Sequence, residues 1–300
     1  MDSTGRDTAV PTLGIVDTHL HLWDPRRLNY GWHGGKEILA RPYLIEDYHA
    51  AVSAVDMSAM VFVECFVDDG SYESEVRFVQ EQSARDARIQ AIVAHANLEE
   101  GTAVLPFLEH LKATTPQLRG IRRIIEAQAD LDFCLRPAFI EGVKLLSTLD
   151  LSFEICANFR HMENVLRFVD RVGGDVSLML DHCGKPAIRD GSMEPWRTQL
   201  RALAAHPNVH CKVSGLTVEA DPRSWTDEQL RPFVDAAVDA FGFERVLYGS
   251  DWPVCLQGTS IPRWISFLDG CFTGVSAADL NRFYRDNAAR FYRLSLNGSG

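Results

Sequence analysis

Short apolar, β-branched runs recur along the chain at 15–21, 60–66, 90–96, 118–125, 152–157, 176–182, 209–214 and 245–250. Each has the length of a buried strand. Between most of them apolar residues return every three or four positions, as at 71–86, 102–114, 137–149, 160–172 and 227–241. That is the spacing of a helix that buries one face. Where strand and helix alternate, the helix carries the chain back so that the next strand runs parallel to the last. Eight such units in 300 residues predict an α/β chain folded as a single (β/α)8 TIM barrel. A doubly wound sheet would need a glycine-rich turn after its first strand, but Gly34-Gly35 and Gly173-Gly174 lack the G-x-G-x-x-G spacing. Within the one barrel domain, 1–300, residues 1–12 are expected to form an N-terminal extension, 22–42 a rim loop, and 296–300 a frayed tail.

Composition narrows the partners. Thirty Lys and Arg stand against 41 Asp and Glu, a net charge of −11, which opposes binding to nucleic acid or to an anionic membrane. No apolar stretch approaches the ~20 residues that span a bilayer, and the polar N-terminus lacks the basic-then-apolar pattern of a signal peptide. The seven cysteines are scattered, without a Cys-x-x-Cys pair, and several lie inside strand-like runs. They read as buried free thiols and point to a reducing cytoplasm. A small-molecule substrate is the expected partner, and a homo-oligomer is left open.

Polar residues concentrate where the strands end. In the first strand Asp17, His19 and His21 alternate with Val16, Thr18, Leu20 and Leu22. A two-residue period then directs Asp17 and both histidines into the barrel and the second set toward the helices. His182 closes the sixth strand before Gly184 and Pro186, and Asp251 closes the eighth before Pro253. Both therefore reach the C-terminal rim, where barrel enzymes place their chemistry. Asp181 has the opposite parity and is expected to anchor a neighbour. Lys212 shares a face with His210 and Ser214 and needs an anionic partner or a ligand. Glu64, Glu154, Arg122 and Arg123 are its candidate company, as a structural ion network or as part of a site. The long loop 22–42, with Trp23, Tyr30 and Trp32, reads as a substrate pocket, a lid or a structural cover.

Together these segments resemble the amidohydrolase superfamily, and within it the branch of sugar-acid lactonases related to the pyrone dicarboxylate lactonase. The resemblance rests on Val16-Asp17-Thr18-His19-Leu20-His21-Leu22-Trp23-Asp24-Pro25, Gly120-Ile121-Arg122-Arg123, Asp181-His182-Cys183-Gly184-Lys185-Pro186, Cys211-Lys212-Val213-Ser214-Gly215-Leu216 and Gly249-Ser250-Asp251-Trp252-Pro253-Val254. It implies hydrolysis of a fucono- or rhamnono-type lactone by Asp251-activated water, with His19, His21, His182 and Lys212 stabilising the oxyanion. Arg122, Tyr30, Trp32, Glu64, Glu154 and Trp252 are then candidates for holding the sugar. The bridging ligand on strand four and the histidine on strand five of a two-metal site are missing. His19, His21, His182 and Asp251 remain for at most one zinc-like divalent ion, and the resemblance equally implies turnover without any metal. Rival readings are a dicarboxylate lactone hydrolase, a metal-dependent decarboxylase of the same superfamily and a non-catalytic binding barrel.

Overall fold

A computed structural model describes residues 14–34 and 36–296. The expected extension 1–12 and most of the tail 296–300 lie outside the described residues.

The eight strands are β1 (Ile15–Leu20), β2 (Met57–Val63), β3 (Ile89–His95), β4 (Leu118–Arg122), β5 (Ser152–Ile155), β6 (Leu178–Leu180), β7 (Val209–Val213) and β8 (Val246–Tyr248). They pair in parallel and in chain order. β1 and the end of β8 close the circle. Thr18 Oγ1 donates to Tyr248 O (2.5 Å), Asp251 N to His19 O (3.0 Å) and His21 N to Trp252 O (2.8 Å). The chain is therefore a (β/α)8 barrel. The helices α1 (Ile45–Ala51), α2 (Tyr72–Arg85), α3 (Leu105–Thr114), α4 (Pro137–Thr148), α5 (Met162–Val172), α6 (Trp196–Ala204), α7 (Leu216–Glu219), α8 (Asp227–Phe241), α9 (Ile261–Cys271), α10 (Ala277–Asn281) and α11 (Asn287–Tyr292) complete it. None of the described helices is long and apolar enough to cross a membrane. All seven cysteines are free, and all but Cys271 are buried.

Two apolar layers hold the barrel. One lies between strands and helices. The other fills the lower interior with Val16, Ala59, Val61, Val63, Ala91, Val93, Met179 and Leu247, and is capped by Ala288, Phe291 and Tyr292 of α11. The C-terminal helix is thus a plug under the barrel, and Tyr292 donates to Glu154 Oε1 (2.5 Å) from below.

The inner layer corrects the expected facing of β1. Val16 points into the barrel, and Asp17 turns out to meet Tyr48 Oη of α1 (2.8 Å) and Ser250 Oγ (2.5 Å). The pairing of β1 with β2 shifts register between Asp17 and Leu20. That irregularity resets the pleat, so His19 faces inward although Val16 does too. Asp17 acts by tying β1, α1 and the end of β8 together.

Candidate active site

Above the apolar floor the barrel interior becomes ionic. Arg122, at the end of β4, gives Nε to Glu64 Oε1 (2.7 Å), Nη2 to the Glu64 carbonyl (2.5 Å) and Nη1 to Asp181 Oδ2 (3.3 Å). Lys212 on β7 gives Nζ to Glu154 Oε2 (2.6 Å) and lies 3.3 Å from Asp181 Oδ1. All five side chains are almost fully buried. Buried charges persist only where partners replace water, and here each has one. Against the upward push of burial, Arg122 and His95 hold the Glu64 carboxyl at about 2, and Lys212 and Arg122 hold that of Asp181 at about 2. Burial instead pushes Glu154 up to about 7, against the pull of Lys212. Asp181 thus anchors two cations, the anchoring role expected of it.

His19 stands on this network. Its Nδ1 lies 3.2 Å from Lys212 Nζ and its Nε2 3.2 Å from Arg122 Nη1. Burial, reinforced by Lys212, His21 and Arg122, lowers its pKa well below the usual imidazole value, so the ring is neutral. His21 gives Nδ1 to the Val63 carbonyl (2.8 Å). A carbonyl only accepts, so Nδ1 carries a proton, and Nε2 faces Asp251 Oδ1, 3.5 Å away. A pair that close is joined by a proton, on Nε2 or on a molecule between the two atoms, or by a cation. His182 is fixed through Nδ1 by Ser214 Oγ (2.8 Å) and is likewise kept neutral by burial and by His19. Both Asp251 (φ 57°) and His182 (φ 52°) are left-handed, which a side chain adopts only where surrounding packing enforces it. Gly215 (φ +65°) makes room for the pair: a Cβ there would fall 2.7 Å from His182 Nδ1 and 3.1 Å from Asp251 Oδ2.

These groups open onto a cavity of about 370 Å³ lined by His21, Arg122, His182 and Asp251, with Trp32 and Lys36 on the loop side. Four sequence candidates for substrate contact lie elsewhere. Glu64 and Glu154 are buried beneath the cavity as counter-ions. Tyr30 packs at 5% exposure against Trp23 and His33 under the rim loop. Trp252 bridges back to Leu20, and its ring sits between Tyr43 and Tyr48. Residue order alone could not show this, because the end of β8 turns its indole toward α1. Lys212 also lies below the cavity wall and reaches the site through His19. Conversely, Glu126, Lys185 and Glu219 line the cavity without having been singled out. Lys185 follows the His182-Cys183-Gly184 turn closely enough to have been suspected; Glu219, on the short helix α7, carries no sequence signal.

His19, His21 and Asp251 bring three donor atoms within 4.8 Å of one another, and so do His19, Asp181 and His182. The expected four are therefore split between two triads that share His19, the second of which brings in Asp181. The first fits a single zinc-like ion, since His21 Nε2 and Asp251 Oδ1 converge. Arg122 competes for His19 by donating to its Nε2.

Strand ends that bring imidazoles, a carboxylate and a buried guanidinium together over a cavity make the site of a barrel enzyme. The chain belongs to the amidohydrolase family, whose model matches residues 16–294. It is 34% identical over 291 residues to an L-fucono-1,5-lactonase of Burkholderia multivorans, covering 93% of this chain and 96% of that protein. An L-fucono-1,5-lactonase of Burkholderia ambifaria is 29% identical over 286 residues, 93% of this chain and 95% of the relative. Among solved structures, an amidohydrolase of Burkholderia multivorans with bound zinc superposes with a TM-score of 0.85 at 32% identity, over 94% of this chain and all of that one.

Proposed function

We propose that this protein hydrolyses a neutral sugar-acid lactone of the fucono or rhamnono type to the free acid. The observation that carries the reading is the facing pair of His21 Nε2 and Asp251 Oδ1, 3.5 Å apart on the cavity floor. When the His21 ring holds its one proton on Nδ1, a water molecule donating one hydrogen to each is held with its oxygen lone pair free to attack. Asp251 takes the proton as the water oxygen bonds to the lactone carbonyl carbon. The negative charge that develops on the carbonyl oxygen meets Arg122 and His182, which donates from Nε2 when Ser214 Oγ donates to its Nδ1. The ring C–O bond then breaks, Asp251 returns the proton to the leaving alkoxide, and the open hydroxy acid results. His19 and Lys212 act from beneath by setting the position and charge of this floor.

The L-fucono-1,5-lactonases similar to this chain support the substrate class. Charge also supports a neutral ring. A dicarboxylate needs cations free to meet it, yet Arg122 is already matched by Glu64 and Asp181, and Arg123 turns away to Glu99 (2.6 Å). The test is a screen of aldonolactones by pH indicator. L-fucono- or L-rhamnono-lactone should be opened at least ~10²-fold more efficiently than a dianionic lactone, the scale set by unmatched polar groups in a closed site. A screen led by the pyrone dicarboxylate, or one in which no lactone opens, defeats the reading.

If a zinc-like ion binds at His19, His21 and Asp251, it supplies polarisation of the carbonyl. The two candidate triads share His19, a neutral imidazole with one lone pair to lend. Arg122 fills the position beside it, and Glu154 on β5 is held by Lys212, so only one triad can hold an ion at a time. Elemental analysis should therefore find at most one divalent ion per chain, and turnover should survive prolonged chelation. Two ions per chain, with activity abolished by the chelator, would contradict this.

A further inference from the structure

The cavity has a second group of polar side chains besides the reacting ones, and its chemistry is of a different kind. Lys185 is ion-paired with Glu126, which also receives the Cys156 thiol (3.7 Å). Glu219 stands beside them on α7; among the described residues its carboxylate has neither a hydrogen bond nor an ion pair. All three side chains line the cavity that Asp251 and His182 also line. The group is tied to the floor by backbone. Lys185 N donates to His182 O (2.9 Å), and His182, Cys183 and Lys185 are all left-handed, with φ of 52°, 55° and 44°. Three side-chain-bearing residues held in this sparsely populated region mark a segment fixed by its surroundings, so Lys185 keeps a set distance from the reacting histidine.

We propose that Glu126, Lys185 and Glu219 form the specificity wall of this site, reading the ring hydroxyls of a neutral lactone and turning away rings that carry a carboxylate. The identity of the ring rests on the lactonase reading above. The argument is one of charge and donor count. A carboxylate accepts two hydroxyl donors, and an ammonium group donates to the lone pairs of the same hydroxyls, so a paired Glu126 and Lys185 suits vicinal hydroxyls. A carboxylate on the ring would find Lys185 already neutralised by Glu126, Arg122 neutralised by Glu64 and Asp181, and Glu219 facing it. The remaining lining cation, Lys36, is exposed at the mouth over the Trp32 ring (5.1 Å). Burial also drives the Glu219 carboxyl above its usual range despite Lys185.

The test compares L-fucono-1,5-lactone with δ-valerolactone, which has the same ring size and no hydroxyls, in the full-length wild type, Glu126→Gln and Glu219→Gln. Each variant should raise KM for the sugar lactone about 10-fold, the scale of one lost hydrogen bond to a charged group. Hydrolysis of δ-valerolactone should change far less, so the preference for the sugar collapses. Glu219→Gln loses no hydrogen bond or ion pair of the described protein and carries the test if Glu126→Gln fails to fold. Equal losses on both lactones, or an unchanged preference, overturn the wall while leaving the lactonase reading in place. Calorimetric binding of L-fucose, which has the ring and hydroxyls but no ester, separates the two ideas further. Wild type that binds L-fucose more tightly than the variants but opens no lactone would keep the wall and remove the lactonase reading. Wild type that neither binds L-fucose nor opens a lactone would remove both.

Discussion

Asp251→Asn should lower kcat by about 10²–10⁴-fold on the best lactone, the range for a lost general base, with KM within a few-fold of wild type. The amide keeps the shape of the carboxylate and can still hold water, but it cannot take the proton. Folding should survive, because asparagine tolerates the left-handed backbone (φ 57°) that this position requires. The local bonds that fix it are backbone bonds that the substitution leaves alone: Asp251 N to His19 O at 3.0 Å and Cys255 N to Asp251 O at 2.8 Å. Steady-state kinetics on variant protein with an unchanged melting curve is the measurement. A folded variant with wild-type kcat would take Asp251 out of the reaction. Unfolding would make the residue a structural anchor, joining β8 to β1.

The barrel was legible in the sequence because parallel strands buried on both faces must be continuous apolar runs, and eight of those runs stand out. Their ends were harder to place. β2 starts three residues earlier than the run 60–66 suggests, at Met57, and β6 shrinks to Leu178–Leu180 because His182 and Cys183 turn left-handed. His19, His21, His182 and Asp251 were legible as a group because strand ends at one rim converge whatever the loops do. Facing along β1 was not, since strict alternation fails at its register shift. The aromatics of the rim loop misled for a related reason: Trp23, Tyr30 and His33 look like pocket residues but pack on one another, and among them Trp32 alone lines the cavity. The Glu126–Lys185 pair joins loops 59 residues apart in the chain, so only the closed barrel brings it together.

Lys212→Met should destabilise the protein by about 3–5 kcal/mol near pH 8, the usual cost of removing one partner of a buried ion pair. Methionine preserves much of the length and apolar stem, so the loss is of charge rather than packing. It leaves Glu154 and Asp181 facing each other without the ammonium that lies 2.6 and 3.3 Å from them, and Arg122 alone to balance three interior carboxylates. Glu154 gives this deficit a pH signature. Its carboxyl titrates at about 7 in the native protein and at an ordinary 4.5 when unfolded, so between those values the folded state binds more protons. Stability therefore declines as pH rises through that window and is greatest, for this group, below it. Without Lys212 the carboxyl moves higher still, and the decline extends above pH 7. Urea unfolding should then show a smaller gap between variant and wild type near pH 6 than near pH 8.5. Adding Glu154→Gln to the variant should recover part of the loss at the higher pH, because a neutral amide can still accept from Tyr292 Oη. Equal stability of Lys212→Met and wild type at both pH values would mean that the interior charges do not hold the floor beneath His19 as the geometry implies.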